Sequence, residues 1–206
     1  MDVLMVTAHP VAESFTHAVA AAADRGLRRA GHRVVVLDLY AAGFAPVMSQ
    51  AERAAYHEAE PLIDPLTIEH AALLRRSQAL VFVYPTWWAG PPAILRGWLE
   101  RVLVPGVAFR FDERGKVRPA LTHVRRIVGI STYGSPWRYV KAVTDGGRRM
   151  LLRALRLNCG WRASTRWLAM YSMDTSPEHE RTAFLVRVER SMSRLGRVGF
   201  GWGWRR

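Results

Sequence analysis

The sequence predicts a doubly wound α/β domain in which five parallel strands, in the order 2-1-3-4-5, carry helices on both faces. Three observations lead there. Short apolar runs rich in β-branched residues have no polar face, as buried parallel strands require: VLMVTA at 3–8, LVFV at 80–83 and RIVGIS at 126–131. Helical patterns separate these runs. The opening reads strand, turn, helix, strand within about forty residues, the size of a βαβ unit with a right-handed crossover. At 206 residues and 50% hydrophobic composition, the chain suits one domain over 1–196. A Gly/Trp/Arg tail, 197–206, is expected to be flexible.

After the first strand, His9-Pro10 ends regular structure. Ser14 caps a helix whose apolar stripe is Phe15, Ala18, Val19 and Ala22, and Gly31 stops it. Residues 33–39, RVVVLDL, form the second strand. Ser49 caps a short helix through His57, and Pro61 and Pro65 precede a helix at 66–77. The third strand is expected to stop at Tyr84-Pro85. Gly90-Pro91-Pro92 breaks the backbone again, and Pro92 suits the first turn of a helix through Leu95, Trp98, Leu99 and Val102. An excursion containing the turn Arg114-Gly115-Lys116 precedes the fourth strand. A helix is expected from Trp137 to Leu155, a fifth strand at 165–173 and a last helix to Leu195, capped by Ser176-Pro177-Glu178.

Thirty Lys and Arg against 17 Asp and Glu give a net charge of +13. Such a field favours phosphorylated ligands, nucleic acid or anionic surfaces, with peripheral contact at a membrane open to it. The arginines are dispersed and no nucleic-acid motif frames them, so nucleic acid is not the expected partner. Cys159 is the only cysteine, which excludes an internal disulfide and a cysteine-rich metal site and points to a buried apolar role. No metal site is expected. No apolar stretch is long enough to span a membrane, and MDVLMVTAHP lacks the features of a signal peptide, so a cytoplasmic protein is expected.

With strands 1 and 3 flanking the switch point, the loops after strands 1, 3 and 4 share one rim. The first leads into a helix N-terminus suited to a phosphate, with Ser14, Phe15 and Thr16 as donors, although Ser14 also serves as a plain cap and His9 as a turn residue. No glycine-rich dinucleotide motif or P-loop stands there. The second loop holds Trp87 and Trp88, which read equally as packing aromatics or as walls for a flat ring. The third offers Ser131, Thr132, Gly134 and Ser135, small donors that an ordinary turn also uses.

Taken together, HPVAESFTHAVAAA after strand 1, YPTWWAGPPAILRGWLERVLVPGVAFRF after strand 3 and ISTYGS after strand 4 resemble the flavodoxin-like NAD(P)H:quinone oxidoreductases over roughly residues 1–140. The resemblance implies a flavodoxin-like three-layer sandwich. It places the flavin phosphate and ribityl chain at His9, Ser14, Phe15 and Thr16, the ring along Pro85, Thr86, Trp87 and Trp88, and the ring edge at Ser131, Thr132, Tyr133 and Gly134. It makes Tyr139 the catalytic residue that stabilises charge on reduced flavin, and Phe109 and Phe111 the walls of a substrate site across a homodimer interface. The cofactor is FMN or FAD, with Glu100 at a position that can meet the ribose of FAD; a salt bridge from Glu100 to Arg96 or Arg101 is its other use. Two positions depart from the family. Tyr133-Gly134 replaces a glycine pair, so that the loop shifts or the phenol covers the ring, and Asp145 stands where a histidine partners the tyrosine.

The expected activity is hydride transfer from NAD(P)H through the flavin to a quinone or similar planar acceptor. The alternative is a regulatory or ancillary module of the same fold that acts on a protein partner, for example a membrane transporter, with little turnover.

Overall fold

A computed structural model describes residues 1–196; the tail expected at 197–206 lies outside the described residues. The chain runs β1 (Asp2–Thr7), α1 (Phe15–Arg29), β2 (Arg33–Asp38), α2 (Gln50–Ala55), α3 (Pro65–Arg76), β3 (Ala79–Pro85) and α4 (Ala93–Val102). It continues through a hairpin, β4 (Phe109–Phe111) and β5 (Val117–Pro119), then β6 (Arg126–Thr132), α5 (Trp137–Ala142) and α6 (Gly146–Arg149). A π-type turn (Met150–Leu155), α7 (Arg156–Cys159), β7 (Ser164–Met170) and α8 (Glu178–Met192) complete it. The main sheet is parallel throughout, in the order β2-β1-β3-β6-β7. Counting the hairpin apart, this is the predicted 2-1-3-4-5.

Alternation along each strand divides the core. Val3, Met5, Val81, Val83, Val128 and Ile130 face α1 and α8, whereas Leu4, Val6, Leu80, Phe82, Tyr84 and Ile127 face α3, α4 and the segment before β7. All seven residues of β3 are buried, as expected for the central strand of a doubly wound sheet. Each large side chain so placed contributes about 2 kcal/mol of apolar burial. Cys159 is buried in the second of these layers, and burial pushes its thiol up to about 12.

Several boundaries differ from the sequence reading, among them the fifth strand, which ends at Met170, and the last helix, which ends at Met192; two of them bear on the site. β3 does not stop at Tyr84-Pro85 but runs through both, pairing Tyr84 with Ser131 and Pro85 with Thr132. Val83 accepts from Ala8 N–H on the β1 side and Thr132 accepts from Thr86 N–H on the β6 side. Strand alternation therefore turns Pro85 toward β1, which has ended at Thr7, so its missing N–H breaks no ladder bond. The single helix expected from Trp137 to Leu155 is interrupted after Ala142: Thr144 lies at φ 60°, a conformation no helix accommodates, and helix resumes only at Gly146.

The segment before α3 is fastened from beneath. Arg101 of α4 is buried and donates to Glu52 Oε1 at 2.8 Å and to the Ala45 carbonyl, with Asp64 Oδ2 at 3.4 Å and the Phe44 ring 4.9 Å away. Ser49 and Glu52 complete a capping box on α2. Burial alone would raise the Glu52 carboxyl, but the Arg101 hydrogen bond, joined by those from Ser49, holds it below the usual carboxylate range.

Arg101→Ala would leave that carboxylate buried without its cation and should destabilise the fold by about 3–5 kcal/mol in urea denaturation. Because Glu52 binds its proton less readily folded than unfolded, its contribution is present above the unfolded value near pH 4.5 and is lost as pH falls through the lower folded value. Glu52→Gln should flatten that part of the acid profile; an unchanged acid slope would show that the pair carries no linkage.

Candidate functional site

The C-terminal ends of β1, β3 and β6 converge at one rim, and three loops leave from them. In the first, Val11 N–H donates to His9 Nδ1 at 3.1 Å, holding the imidazole over the turn. Ser14 is the N-cap of α1, its Oγ accepting from His17 N–H at 3.3 Å. The opening N–H groups of α1, those of Phe15 and Thr16, have no intrahelical acceptor and carry the positive end of the helix dipole. Thr16 is buried, and the Phe15 ring packs 6.3 Å from that of Phe184. His17 Nε2 donates to Asp38 Oδ2 at 2.8 Å, and Nδ1 lies 3.0 Å from both Ser14 Oγ and the Val11 carbonyl. This ties the loop to the end of β2. His17 escaped the sequence reading; its place three residues after the cap was the available signal.

The second loop is a two-residue hairpin. Trp87 N–H donates to the Gly90 carbonyl at 2.9 Å and Gly90 N–H to the Trp87 carbonyl at 3.0 Å. Trp88 and Ala89 between them lie at φ 49° and 56°, the left-handed pattern that normally selects Asn-Gly. For residues with a Cβ this costs about 1–2 kcal/mol each. The turn directs Trp88 into solvent, 103% exposed, whereas Trp87 is 43% exposed with its ring 5.9 Å from that of His9. The two tryptophans thus separate: Trp87 joins the first loop and Trp88 packs on nothing described.

The second and third loops meet where Thr86 Oγ1 lies 2.7 Å from Ser131 Oγ. Ser131 and Thr132 are buried strand-end residues. Tyr133 is only 2% exposed, so its phenol lies beneath the rim and does not cover it. Its hydroxyl donates to Asp145 Oδ2 at 2.8 Å and its ring stacks on Tyr171 at 4.9 Å. Burial, reinforced by the Asp145 charge, raises this phenol well above the tyrosine range. Gly134 approaches Asp174 so closely that a Cβ would stand 2.4 Å from Oδ2.

The structure therefore gathers His9, Ser14, Phe15, Thr16, Pro85, Thr86, Trp87, Trp88, Ser131, Thr132, Tyr133 and Gly134 on adjoining loops and strand ends. It does not bring Phe109, Phe111 or Tyr139 to them by any ring contact. Phe109 and Phe111 lie on the β4–β5 hairpin, 5.8 Å apart, with His57 6.3 Å from Phe111. Phe111 and Tyr139 are both about half exposed, and the Tyr139 hydroxyl has no partner among the described residues. Glu100 pairs with Arg96 at 2.6 Å, the salt-bridge use foreseen for it, while Arg101 turns inward. The partnership of Asp145 with Tyr133 across twelve residues was invisible to periodicity. No group of His, Cys, Asp and Glu suited to a metal occurs among the described residues, nor does any helix there long and apolar enough to cross a membrane.

Comparison with known proteins agrees with this fold. A family described as having a flavodoxin-like fold matches residues 1–185. The chain is 29% identical to NAD(P)H dehydrogenase [quinone] 1 of Rattus norvegicus over 88% of its own length and 73% of the rat protein's. It is also 29% identical to the human ribosyldihydronicotinamide dehydrogenase [quinone], covering 89% of this chain and 87% of that one. Among solved structures, the NAD(P)H:quinone oxidoreductase from Methanothermobacter marburgensis superposes with a TM-score of 0.79 at 26% identity, over 95% of this chain and 96% of the other.

The left-handed turn makes a direct prediction. Ala89→Gly should raise stability by up to about 1 kcal/mol, since glycine takes positive φ without the Cβ clash and gives back only part of that gain as unfolded-chain entropy. A thermal melt in which the variant unfolds earlier would show that the turn is not strained.

Proposed function

Because the chain belongs to the flavodoxin-like NAD(P)H:quinone oxidoreductase family, we propose that it is a flavin-dependent NAD(P)H oxidoreductase passing two electrons, as hydride, to a quinone or similar planar acceptor. The observation that carries this reading is the convergence of three ligand-suited loops on the switch point between β1 and β3, with a half-exposed indole beside free helix N–H groups and a hydroxyl pair.

Those features fit a flavin. The helix N-terminus with Ser14 and Thr16 offers donors to a phosphate, and His9 and Phe15 border it. Trp87 presents a half-exposed flat apolar face beside His9, with Pro85 and Trp88 close to it along the chain. Thr86, Ser131 and Thr132 supply small polar groups, and Gly134 offers its backbone without a side chain in the way, while the Tyr133 N–H and carbonyl are held by Met170 and Met173. When bound, the flavin supplies the hydride acceptance and donation. The protein's work is to hold donor and acceptor in turn against one face, where positioning reduces the entropic barrier.

A non-catalytic module would follow if Tyr133 filled the site, but its phenol is buried against Asp145. In this reading Tyr139 is the hydroxyl left free to stabilise charge on the reduced cofactor. In this reading Phe109 and Phe111, which make no ring contact with the site of their own chain, serve the site of a second subunit, and the working form is a homodimer. FAD would draw on Glu100, which Arg96 already engages; FMN is the cofactor to offer first and FAD second. The +13 charge favours the phosphates of the nicotinamide donor.

Purified protein should be yellow or turn yellow on adding FMN or FAD, release flavin on denaturation, and oxidise NAD(P)H with quinones in ping-pong kinetics. Trp87→Ala should weaken flavin binding about tenfold. A colourless protein that refuses both flavins overturns the proposal. Sedimentation should give a dimer, and Phe111→Ala should raise KM for the acceptor while leaving flavin affinity unchanged.

A further inference from the structure

Residues 144–147 form a short bridge between the loop after β6 and the tryptophan turn, and it is fastened at several points. Asp145 has both oxygens engaged: Oδ2 receives the Tyr133 hydroxyl at 2.8 Å and Oδ1 receives Arg148 N–H at 3.2 Å, capping α6. The next residue, Gly146, donates its N–H to the Ala89 carbonyl at 3.0 Å, and a Cβ there would stand 3.1 Å from that oxygen. Gly147 lies against the buried Tyr84 hydroxyl, where a Cβ would come within 2.9 Å. Thr144 is left-handed at φ 60°, as are Trp88 and Ala89 opposite it. Two left-handed, non-glycine segments therefore face each other across one hydrogen bond. Such conformations persist only where surrounding contacts over-determine them.

We infer that Asp145 is a positioning residue which, through the Tyr133 hydroxyl on one side and the Gly146 N–H on the other, locks the Trp87–Gly90 turn to the loop after β6. The carboxylate is suited to this because it can only accept, and the groups turned to it, the Tyr133 hydroxyl and the Arg148 N–H, can donate. Nearby, Thr86 Oγ1 stands 2.7 Å from Ser131 Oγ, two residues before Tyr133. The half-buried carboxylate thus lies in the same loop system as the polar pair at the rim. The purpose of the lock rests on the flavin reading above, since it sets where the Trp87 ring lies; its geometry does not.

The test uses the full chain with and without FMN. Tyr133→Phe removes only the hydroxyl, and Asp145→Asn keeps the shape and the cap on Arg148 while placing an amide donor against the phenol. Each should speed hydrogen exchange at the Gly90 and Gly146 amides about tenfold, the loss expected for a hydrogen bond to a charged group. Amides of β1 should not change. The double variant should be no faster than either single one, because both cut the same connection. FMN affinity should fall about tenfold in each, with the same non-additivity. If Asp145→Asn fails to fold, Tyr133→Phe decides alone. Unchanged exchange at Gly90 and Gly146, or effects that multiply in the double variant, overturns the lock. Faster exchange with unaltered FMN affinity overturns the positioning role. A parent chain that binds no FMN or FAD instead overturns the flavin reading, while the exchange measurement still decides the lock.

Discussion

β3 continues past the end of β1, and the rim depends on that overhang. Val83 is the last residue of β3 to pair with β1, whereas Tyr84 and Pro85 pair with β6 alone. Pro85 tolerates the position because its absent N–H faces the side where no strand remains. A notch is left beside β3, bordered by the loop after β1, and the same extension carries Thr86 to the level of Ser131. Were β3 to end with β1, Trp87 would not stand beside His9 and the hydroxyl pair would not form.

Around this notch the rigid and the strained parts are separately supported. The floor is strand backbone with buried side chains on both faces. The walls are loops, each tied down by a hydrogen bond of long sequence reach: His17 to Asp38 for the first, Gly146 to Ala89 for the second, Tyr133 to Asp145 for the third. Loops held in this way can present side chains in orientations that a free loop would average over. The buried Arg101 and Glu52 play the equivalent part for the segment between β2 and α3.

Most of the fold was legible because its signals are local. Four or more apolar residues without a polar face state a buried strand wherever they occur, and capping residues such as Ser14 and Ser49 declare helix starts. The loop residues of the candidate site were legible for the same reason, as they follow immediately on those strands. What could not be read was pairing across distance. Asp145 stood out in the sequence only as a departure from the family, and its bond to Tyr133 could not be read from it; Arg101 read as a helix-face partner for Glu100, whereas it turns inward onto Glu52. The type I′ turn at Trp88-Ala89 carries none of the glycine or asparagine that normally announces one, and Pro85 is a strand residue only because of where a neighbouring strand ends.

Cys159 adds a different consequence. Its thiol is buried in the same apolar layer as α3 and α4, pushed up to about 12, and it is the only cysteine in the chain. At neutral pH the protein therefore presents essentially no thiolate. Quinones and the peroxide that accompanies their cycling inactivate many proteins by alkylating or oxidising such groups. A chain without an accessible thiolate closes off this one route of attack by the class of electrophile proposed as its acceptor, and it does so through the packing of a single core residue.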